Sequence, residues 1–374
     1  MRRQFKSTEA IIMKNTIKSG AAERMSYADL RKHHTAALGR LAKIENEPVA
    51  LAASEGAAIQ PGTIYLANDS VFTQQYFDEP LTNYAVGWKD PNNIEATLEF
   101  FAPAVPVPRR FTYKSWTNIE EFLSEGTYDD LRAIGGEFPT VNFTGSEVHA
   151  RTDNRGLRIR VDLDEVADPN SPLAGGMPAY QARVVEKLKR RILRNSLRRA
   201  ITLLSAAAVV TDKTWNGTAG QDPDNDVLQQ LVGAATQSGI RPNRVAWGDT
   251  AWSKRVLTHR AQNDAGGYAS AGLTPEQVGM FLMAQAYVSR ERFSAAGAAL
   301  AEVVGNLVFM FYAMEGQDTE DPSNIKRFYS MTDSGGPWRV YVQQVTSKLV
   351  DITVEHYEKI VITSLLGINQ FTVS

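Results

Sequence analysis

Few residues in this sequence have the types and spacing that chemistry requires, and the first candidate is a serine. Ser334 follows Asp333 and precedes two glycines, in the segment from Asp333 to Pro337. A serine in such a turn acts as a nucleophile when a histidine removes its proton and a carboxylate orients that histidine. The chain has 5 histidines, and none of them has the sequence context of such a base.

This serine segment resembles the nucleophile segment of the trypsin-like serine proteases but departs from that pattern. Thr332 stands where those proteases carry a glycine, and the chain has no cysteine, which the histidine segment of that family contains. A Ser-Gly-Gly-Pro sequence is typical of a tight turn between strands. We therefore expect a turn here and keep a serine hydrolase acting through Ser334 as an alternative function.

Metal and cofactor sites are not predicted. The acidic run from Asp222 to Asp226 begins like a calcium-binding loop, but Val227 occupies the position that needs glycine. The histidines, at positions 33, 34, 149, 259 and 356, do not have the spacing of metal ligands. The sequence also contains no phosphate-binding glycine motif, and we expect the glycine-rich segment 266–272 to be a mobile loop. We therefore expect no catalytic residue, no metal and no cofactor.

One segment concentrates positive charge on a predicted helix. Residues 179–210 contain no glycine or proline and repeat apolar side chains at helical spacing, which predicts a single long helix. Beside the apolar stripe runs a basic one, formed by Arg183, Lys187, Arg190, Arg191, Arg194 and Arg198. Such a stripe is either a solvated helix face or a surface that contacts phosphate groups without sequence preference.

A second basic segment precedes this helix and is predicted to be a β-ribbon. Residues 147–151 and 157–164 alternate like strands, and Asn154-Arg155-Gly156 between them predicts a hairpin. Since a two-stranded ribbon buries little surface by itself, we expect it to need a neighbour, which could be another subunit. The cations of this segment are Arg110, Lys114, Arg151, Arg155, Arg158 and Arg160.

The other segments are predicted to mix short strands with helices. Residues 60–108 are typical of strands and turns, and they end in a proline run that excludes a helix or a central strand. Periodicity predicts helices over 118–131, 226–237, 250–260 and 274–286. It predicts strands over 109–116, 140–143, 243–247, 306–314, 338–344, 350–356 and 359–363. This pattern predicts an α+β protein.

Composition limits the class of protein to which the chain can belong. Its 374 residues are 43% hydrophobic and 22% charged with a net charge of -2, which is typical of two or three globular units. The lack of cysteine excludes disulfides and zinc–thiolate sites and fits a reducing cytoplasm. We expect no secretion signal and no membrane span, because no apolar stretch approaches roughly 20 residues. Residues 1–44 are strongly basic and are expected to be a frayed terminus or an arm that becomes ordered on assembly.

Three segments resemble the major capsid proteins of tailed bacteriophages. They run from Asn154 to Asp162, from Arg241 to Trp252 and from Leu257 to Arg260. The resemblance extends from about residue 95 to the end of the chain. It includes the order of the elements: a charged ribbon, one very long helix, an α/β unit and closing strands.

The resemblance implies the α+β major capsid fold that tailed phages share with herpesviruses. That fold has a peripheral domain with a spine helix, an axial domain, an extended β-ribbon loop and an N-terminal arm. In this chain the arm would be 1–59, the extended loop 109–165 and the axial domain 227–345. The peripheral domain would comprise 60–108, 166–226 with the spine helix 179–210, and the closing strands 346–374.

The implied function is structural. Hexamers and pentamers of the chain would form an icosahedral shell around double-stranded DNA, in the virion after a period in the host cytoplasm and without a membrane partner. The basic stripe would face the lumen, and the cations of the extended loop would lie between subunits. A scaffold, a portal and decoration proteins are the further partners that the resemblance implies. Lys114 lies in the loop where some members of the family form a cross-link, but no motif supports that chemistry here. The shell of a non-viral nanocompartment is a further alternative.

Overall fold

The computed structural model describes most of the chain after residue 75. It covers residues 76–91, 93–116, 146–165, 176–218, 220–294, 299–316, 319–332 and 336–374, with a few positions between 132 and 137. Within these ranges the protein is α+β, with helices packed on two five-stranded sheets, so the predicted fold class is confirmed. The predicted arm 1–59, helix 118–131, strand 140–143 and nucleophile Ser334 lie outside the described residues.

Two short helices, α1 (Glu79–Gly87) and α2 (Ile94–Phe101), occupy a region where strands and turns were predicted. The Asp78 side chain accepts a hydrogen bond from the Leu81 backbone N–H at 2.9 Å, and a proline follows in the first turn of α1. Both features are signals of a helix start. The prediction of strands for these residues was therefore wrong.

The longest helix of the described chain, α3 (Gly176–Ala207), contains 32 residues and is about 48 Å long at 1.5 Å per residue. It confirms the long helix predicted over 179–210, displaced by three residues toward the N-terminus. Its apolar stripe packs on α2 and on the first sheet, and all of these side chains belong to one core cluster. The core members of α3 include Val185, Leu188, Ile192, Leu197, Ala200 and Leu204.

The first sheet is organised around one long strand, β13 (Leu349–Ile362). Residues 350–356 of β13 pair with β12 on one edge and with β4 on the other, both antiparallel. The sequence predicted two strands where β13 is continuous. The other strands of this sheet are β1 (Ala104–Pro106), β4 (Asp153–Asp162), β11 (Ile325–Ser330) and β12 (Trp338–Gln344). The proline run supplies β1, which pairs only with β11 at the end of the strand order, in agreement with the exclusion of a central strand.

The predicted hairpin at Asn154-Arg155-Gly156 was wrong, because these residues lie inside β4. The preceding strand, β3 (Ser146–Arg151), pairs with β2 (Arg110–Ser115) and not with β4. Gly156 allows a close approach between strands, since a Cβ there would lie 2.8 Å from the Val354 carbonyl oxygen. The neighbour that β4 was expected to need is thus β13 of its own chain.

The second sheet gathers strands from distant parts of the chain. In spatial order they are β5 (Val209–Lys213), β14 (Asn369–Val373), β10 (Leu307–Phe311), β6 (Arg244–Gly248) and β7 (Gln285–Ser289). The associated helices are α4 (Pro223–Ser238), α5 (Asp249–Ala261), α6 (Ala265–Ala271) and α7 (Pro275–Leu282). Strand β8 (Arg292–Ser294) pairs antiparallel with β9 (Leu300–Glu302) outside this sheet. Trp215 and Trp247 lie in the core of this unit.

One other prediction in this region needs correction. The glycine-rich segment 266–272, which was expected to be a mobile loop, is mostly helix α6, and the Asp264 side chain caps it at the Gly267 N–H. The two sheets interleave along the chain, since strands β11 and β12 belong to the first sheet, whereas the C-terminal β14 belongs to the second. The domain boundary at 345 stays a prediction. No helix in the described ranges is long and apolar enough to span a lipid bilayer.

Candidate assembly and nucleic-acid surfaces

Four cations of α3 have an acidic partner in the same chain. Lys189 is buried, and its ammonium donates to the Ala85 and Trp88 carbonyls at 2.9 and 2.6 Å and pairs with Glu95 at 2.9 Å. Arg190 donates to Asp90 at 2.8 Å. The other two are Arg194, 3.7 Å from Glu291, and Arg199, which donates to Glu358 at 2.8 Å. The basic segment of the sequence is therefore in large part an intramolecular ion-pair system.

A basic row runs along one face of α3. It consists of Lys187, Arg191, Arg194 and Arg198, at helical spacings of four, three and four residues that place them on one face. Lys187, Arg191 and Arg198 are exposed, and the Arg198 guanidinium lies 4.0 Å from the centre of the Phe293 ring. Arg183, predicted as a member of the stripe, instead donates to the Ala179 carbonyl within its own helix. The row is the part of the predicted stripe that can contact a ligand.

The predicted cations on β4 are close to acids of the chain itself. Arg160 donates two hydrogen bonds to Asp351 at 2.8 and 3.0 Å, and Arg158 lies 3.2 Å from the same carboxylate. Hydrogen bonding by Arg160 lowers the pKa of Asp351. Arg155 is paired with Asp153 at 3.0 Å. These three arginines hold β4 on β13 or bond within β4, although Arg158 and Arg160 keep part of their surface exposed.

The β2–β3 ribbon holds the rest of the predicted inter-subunit set. Its inner face packs Phe111 and Tyr113 against Phe328 of β11 in a small separate core. Its outer face presents three cross-strand pairs: Arg110 with Arg151, Thr112 with His149, and Lys114 with Glu147. The Lys114 ammonium is bonded to Glu320 at 2.7 Å. Arg110 and Arg151 have no ion-pair partner in the described part of the chain.

A buried charged cluster joins α3 to the first sheet, and no sequence pattern predicted it. Glu358 of β13 accepts hydrogen bonds from Ser196 and Arg199 of α3, both at 2.8 Å, and His356 lies 3.3 Å away. Burial alone would raise the pKa of Glu358. The hydrogen bond from His356 and the charges of His356, Arg327 and Arg199 outweigh that effect and hold the pKa well below its usual value. The helix–sheet contact is therefore ionic as well as apolar.

A second buried cluster lies in the α/β unit. Arg255 of α5 donates two hydrogen bonds to Asp224 of α4, each 2.6 Å long, and a third to the Ser270 carbonyl of α6. His259, one turn further along α5, lies 3.3 Å from Asp224. Burial opposes ionisation of Asp224, but the hydrogen bonds from His259 and Arg255 lower its pKa. Arg255 and His259 are four residues apart and share one face of α5, and this spacing is the only sequence signal for the cluster. Their partner Asp224 on α4 could not be predicted from the sequence.

The candidate nucleophile segment carries no described catalytic arrangement. Ser334 lies outside the described residues, while the residues that flank it are bonded to each other: the Thr332 N–H donates to the Gly336 carbonyl at 3.0 Å. Among the residues that the structure describes, no three histidine or acidic side chains are grouped as metal ligands.

Comparison with solved structures identifies the fold. A phage-related protein from Bordetella bronchiseptica superimposes with a TM-score of 0.58 and 18% sequence identity, covering 79% of this chain and 96% of that one. The chain has the fold of this phage-related protein. No protein-family model matches the sequence, and no curated protein matches it.

Two other solved structures show a weaker likeness. A virus-like particle from Pyrococcus furiosus gives a TM-score of 0.43 at 11% identity, over 79% of this chain and 99% of that one. The capsid of a cyanophage gives 0.44 at 12% identity, over 73% and 86%. Both scores lie below the level at which two chains share a fold.

Proposed function

We propose that this protein is the major structural subunit of a tailed-phage capsid and not an enzyme. The observation that carries the proposal is the fold it shares with a phage-related protein, along nearly the full length of that protein. The resemblance of three sequence segments to tailed-phage major capsid proteins supports the same function. In this proposal α3 is the spine helix, the β2–β3 ribbon belongs to the extended loop, and the α/β unit around the second sheet is the axial domain.

Surface composition supports assembly. At the end of α7, Met280, Phe281 and Met283 are 79%, 53% and 77% exposed. Large apolar side chains grouped in this way on a water-facing surface are typical of contact surfaces. We propose that they are covered by neighbouring subunits in hexamers and pentamers.

The basic row of α3 supports contact with packaged DNA. Between Lys187 and Arg198 the helix itself carries no aromatic residue, which favours phosphate contacts over base stacking. We propose that this row faces the lumen and binds double-stranded DNA without sequence preference. A scaffold, a portal and decoration proteins would be further partners, and the virion would be the final location.

Electron microscopy of the purified protein tests the proposal. We expect closed icosahedral shells in negative stain, formed by the protein alone or with its co-expressed phage partners. A chain that stays monomeric at high concentration, with and without these partners, would contradict it. A Ser334→Ala variant with wild-type assembly is also expected, since the proposal gives this serine no role.

A further inference from the structure

The outer face of the β2–β3 ribbon carries unbalanced charge at both ends. Arg110 and Arg151 are directly opposite each other at one end, and both are exposed. The Thr152 N–H donates a hydrogen bond to the Arg109 carbonyl, so Arg109 and Thr152 form a hydrogen-bonded pair. Since the two kinds of pair alternate along an antiparallel ribbon, the next pair, Arg110 with Arg151, is not hydrogen-bonded and its side chains lie closer together. Like charges placed opposite each other in a sheet are destabilising. A pair with this arrangement and no counter-ion in the described part of its own chain indicates an acidic partner.

The other end of the same face holds the complementary charge. Glu147 is exposed and has no cation partner in the described ranges, because the ammonium of its cross-strand neighbour Lys114 is bonded to Glu320. Four residues separate Arg151 from Glu147, which is about 13 Å along a strand. The ribbon therefore presents two unpaired arginines and one unpaired carboxylate on one face, at a fixed separation.

An open depression lies at the arginine end of this ribbon. It has a volume of about 460 Å³ and is bounded by residues 110–112 of β2 and 149–151 of β3. Within it, the Thr112 hydroxyl is hydrogen-bonded to Nδ1 of His149 at 2.9 Å, which leaves the other ring nitrogen of His149 available to a partner. The depression can thus accept a carboxylate between two guanidinium groups and an imidazole.

We propose that this face binds the same face of a second copy of the chain, across a two-fold axis. In such a contact each copy places Glu147 between Arg110 and Arg151 of the other, so that the same set of ion pairs forms twice. A nucleic-acid backbone fits this face less well, because Glu147 and the half-exposed Glu320 would repel phosphate. The inference rests on the proposed function, since two short strands bury less area than a stable dimer needs and the contact would form within a shell.

Charge swapping tests the contact. Arg110→Glu with Arg151→Glu, and separately Glu147→Lys, should each raise the protein concentration for half-maximal assembly at least about threefold, as the loss of exposed ion pairs predicts. The triple variant that carries all three changes restores complementarity between copies and should assemble near the wild-type concentration. Light scattering with electron microscopy measures all four proteins, and circular dichroism verifies that each is folded.

The possible outcomes separate the inference from the proposed function. Equal assembly of all four proteins overturns the inference and leaves the capsid function intact. A defect in the arginine variant without a defect in Glu147→Lys also overturns it, because a different anion would then occupy the depression. A triple variant that is folded and no better than the arginine variant overturns it as well. A wild-type chain that forms no assembly overturns both proposals.

Discussion

At the scale of single residues, the interior of this protein is unusual for the number of charges that it holds. Glu358, Asp224 and Asp351 are each buried, and each accepts hydrogen bonds from arginine. A buried charge is tolerated only when such partners replace the water that it has lost. These carboxylates therefore depend on partners from other elements, and removal of one member should destabilise the fold.

Glu358→Gln should lower the free energy of unfolding by about 3 kcal/mol at pH 7, because the partly buried Arg199 guanidinium loses its carboxylate partner. The pKa of Glu358 is lower in the folded chain than in the unfolded chain. Its stabilising contribution is therefore present above the unfolded value of about 4.3, and it is lost as pH falls from there toward the folded pKa. Urea unfolding of the variant and the wild type between pH 7 and pH 3 measures this, and the difference between them should shrink at the acidic end.

The exposed Asp212 supplies a control for this experiment. Asp212→Asn should change stability by less than about 0.5 kcal/mol at any pH in that range. A difference between wild type and Glu358→Gln that stays constant down to pH 3 would contradict the ionic role assigned to the buried cluster.

At the scale of elements, α3 is the helix on which the two short helices and the first sheet pack. It packs on α1, α2, β4 and β13. Lys189 stabilises this packing because its ammonium donates hydrogen bonds to two carbonyls at the C-terminal end of α1. Carbonyl groups at this end of a helix have no partner within the helix. The same ammonium also reaches Glu95 of α2. One side chain thus fixes two helices on the long helix.

Lys189→Met should destabilise the protein by about 2 kcal/mol, because two backbone carbonyls lose their partner while the apolar part of the side chain is kept. Hydrogen exchange should accelerate for the amides of residues 79–101 more than for those of the second sheet. Lys187→Met, an exposed lysine two residues earlier, is the matched control and should leave exchange unchanged. Uniformly faster hydrogen exchange across the whole chain of Lys189→Met would contradict a local role of Lys189 in holding α1 and α2 on α3.

At the scale of the whole molecule, the distribution of charge matters more than its sum. The net charge is -2, which gives no general attraction to nucleic acid. After the cations with an acidic partner are set aside, α3 still presents Lys187, Arg191 and Arg198 of the basic row, whereas the outer face of the ribbon combines both signs. The proposed shell subunit needs one surface that contacts DNA and separate surfaces that contact other subunits.

Lys187→Glu with Arg191→Glu should leave empty shells intact and reduce stable DNA filling, with a larger defect at low salt, where phosphate repulsion is least screened. These two positions are preferable to Arg194, which lies near Glu291 of its own chain. When DNA binding by the assembled protein is measured at several salt concentrations, the slope should correspond to about two fewer counterions released per subunit in the variant. Nuclease-protected DNA per shell measures the filling.

A charge-matched control uses two exposed cations outside α3, Lys89→Glu with Arg260→Glu. Shells of this control variant should contain the normal amount of DNA if the basic row itself contacts DNA. If the Lys187 and Arg191 variant forms no shells while the control does, the row is an interface between subunits and the DNA proposal is wrong.

The sequence by itself determined the features that depend on local periodicity. The absence of glycine and proline over 179–210 gave the long helix to within three residues at each end. Alternation gave the strands at 110–115 and 338–344, because side chains that face one core repeat every second residue. Local capping signals at Asp78 and Asp264 were present in the sequence and were missed.

Only the tertiary structure decided which segments pair. Strands β3 and β4 are adjacent in sequence yet belong to different sheets, and β14 lies between β5 and β10, which come from distant parts of the chain. The same holds for the charges, since Arg199 and Glu358 are 159 positions apart and neither shows in the sequence that it has a partner. Strand pairing and buried ion pairs depend on which distant surfaces come together, and a local pattern carries no information about its distant partner.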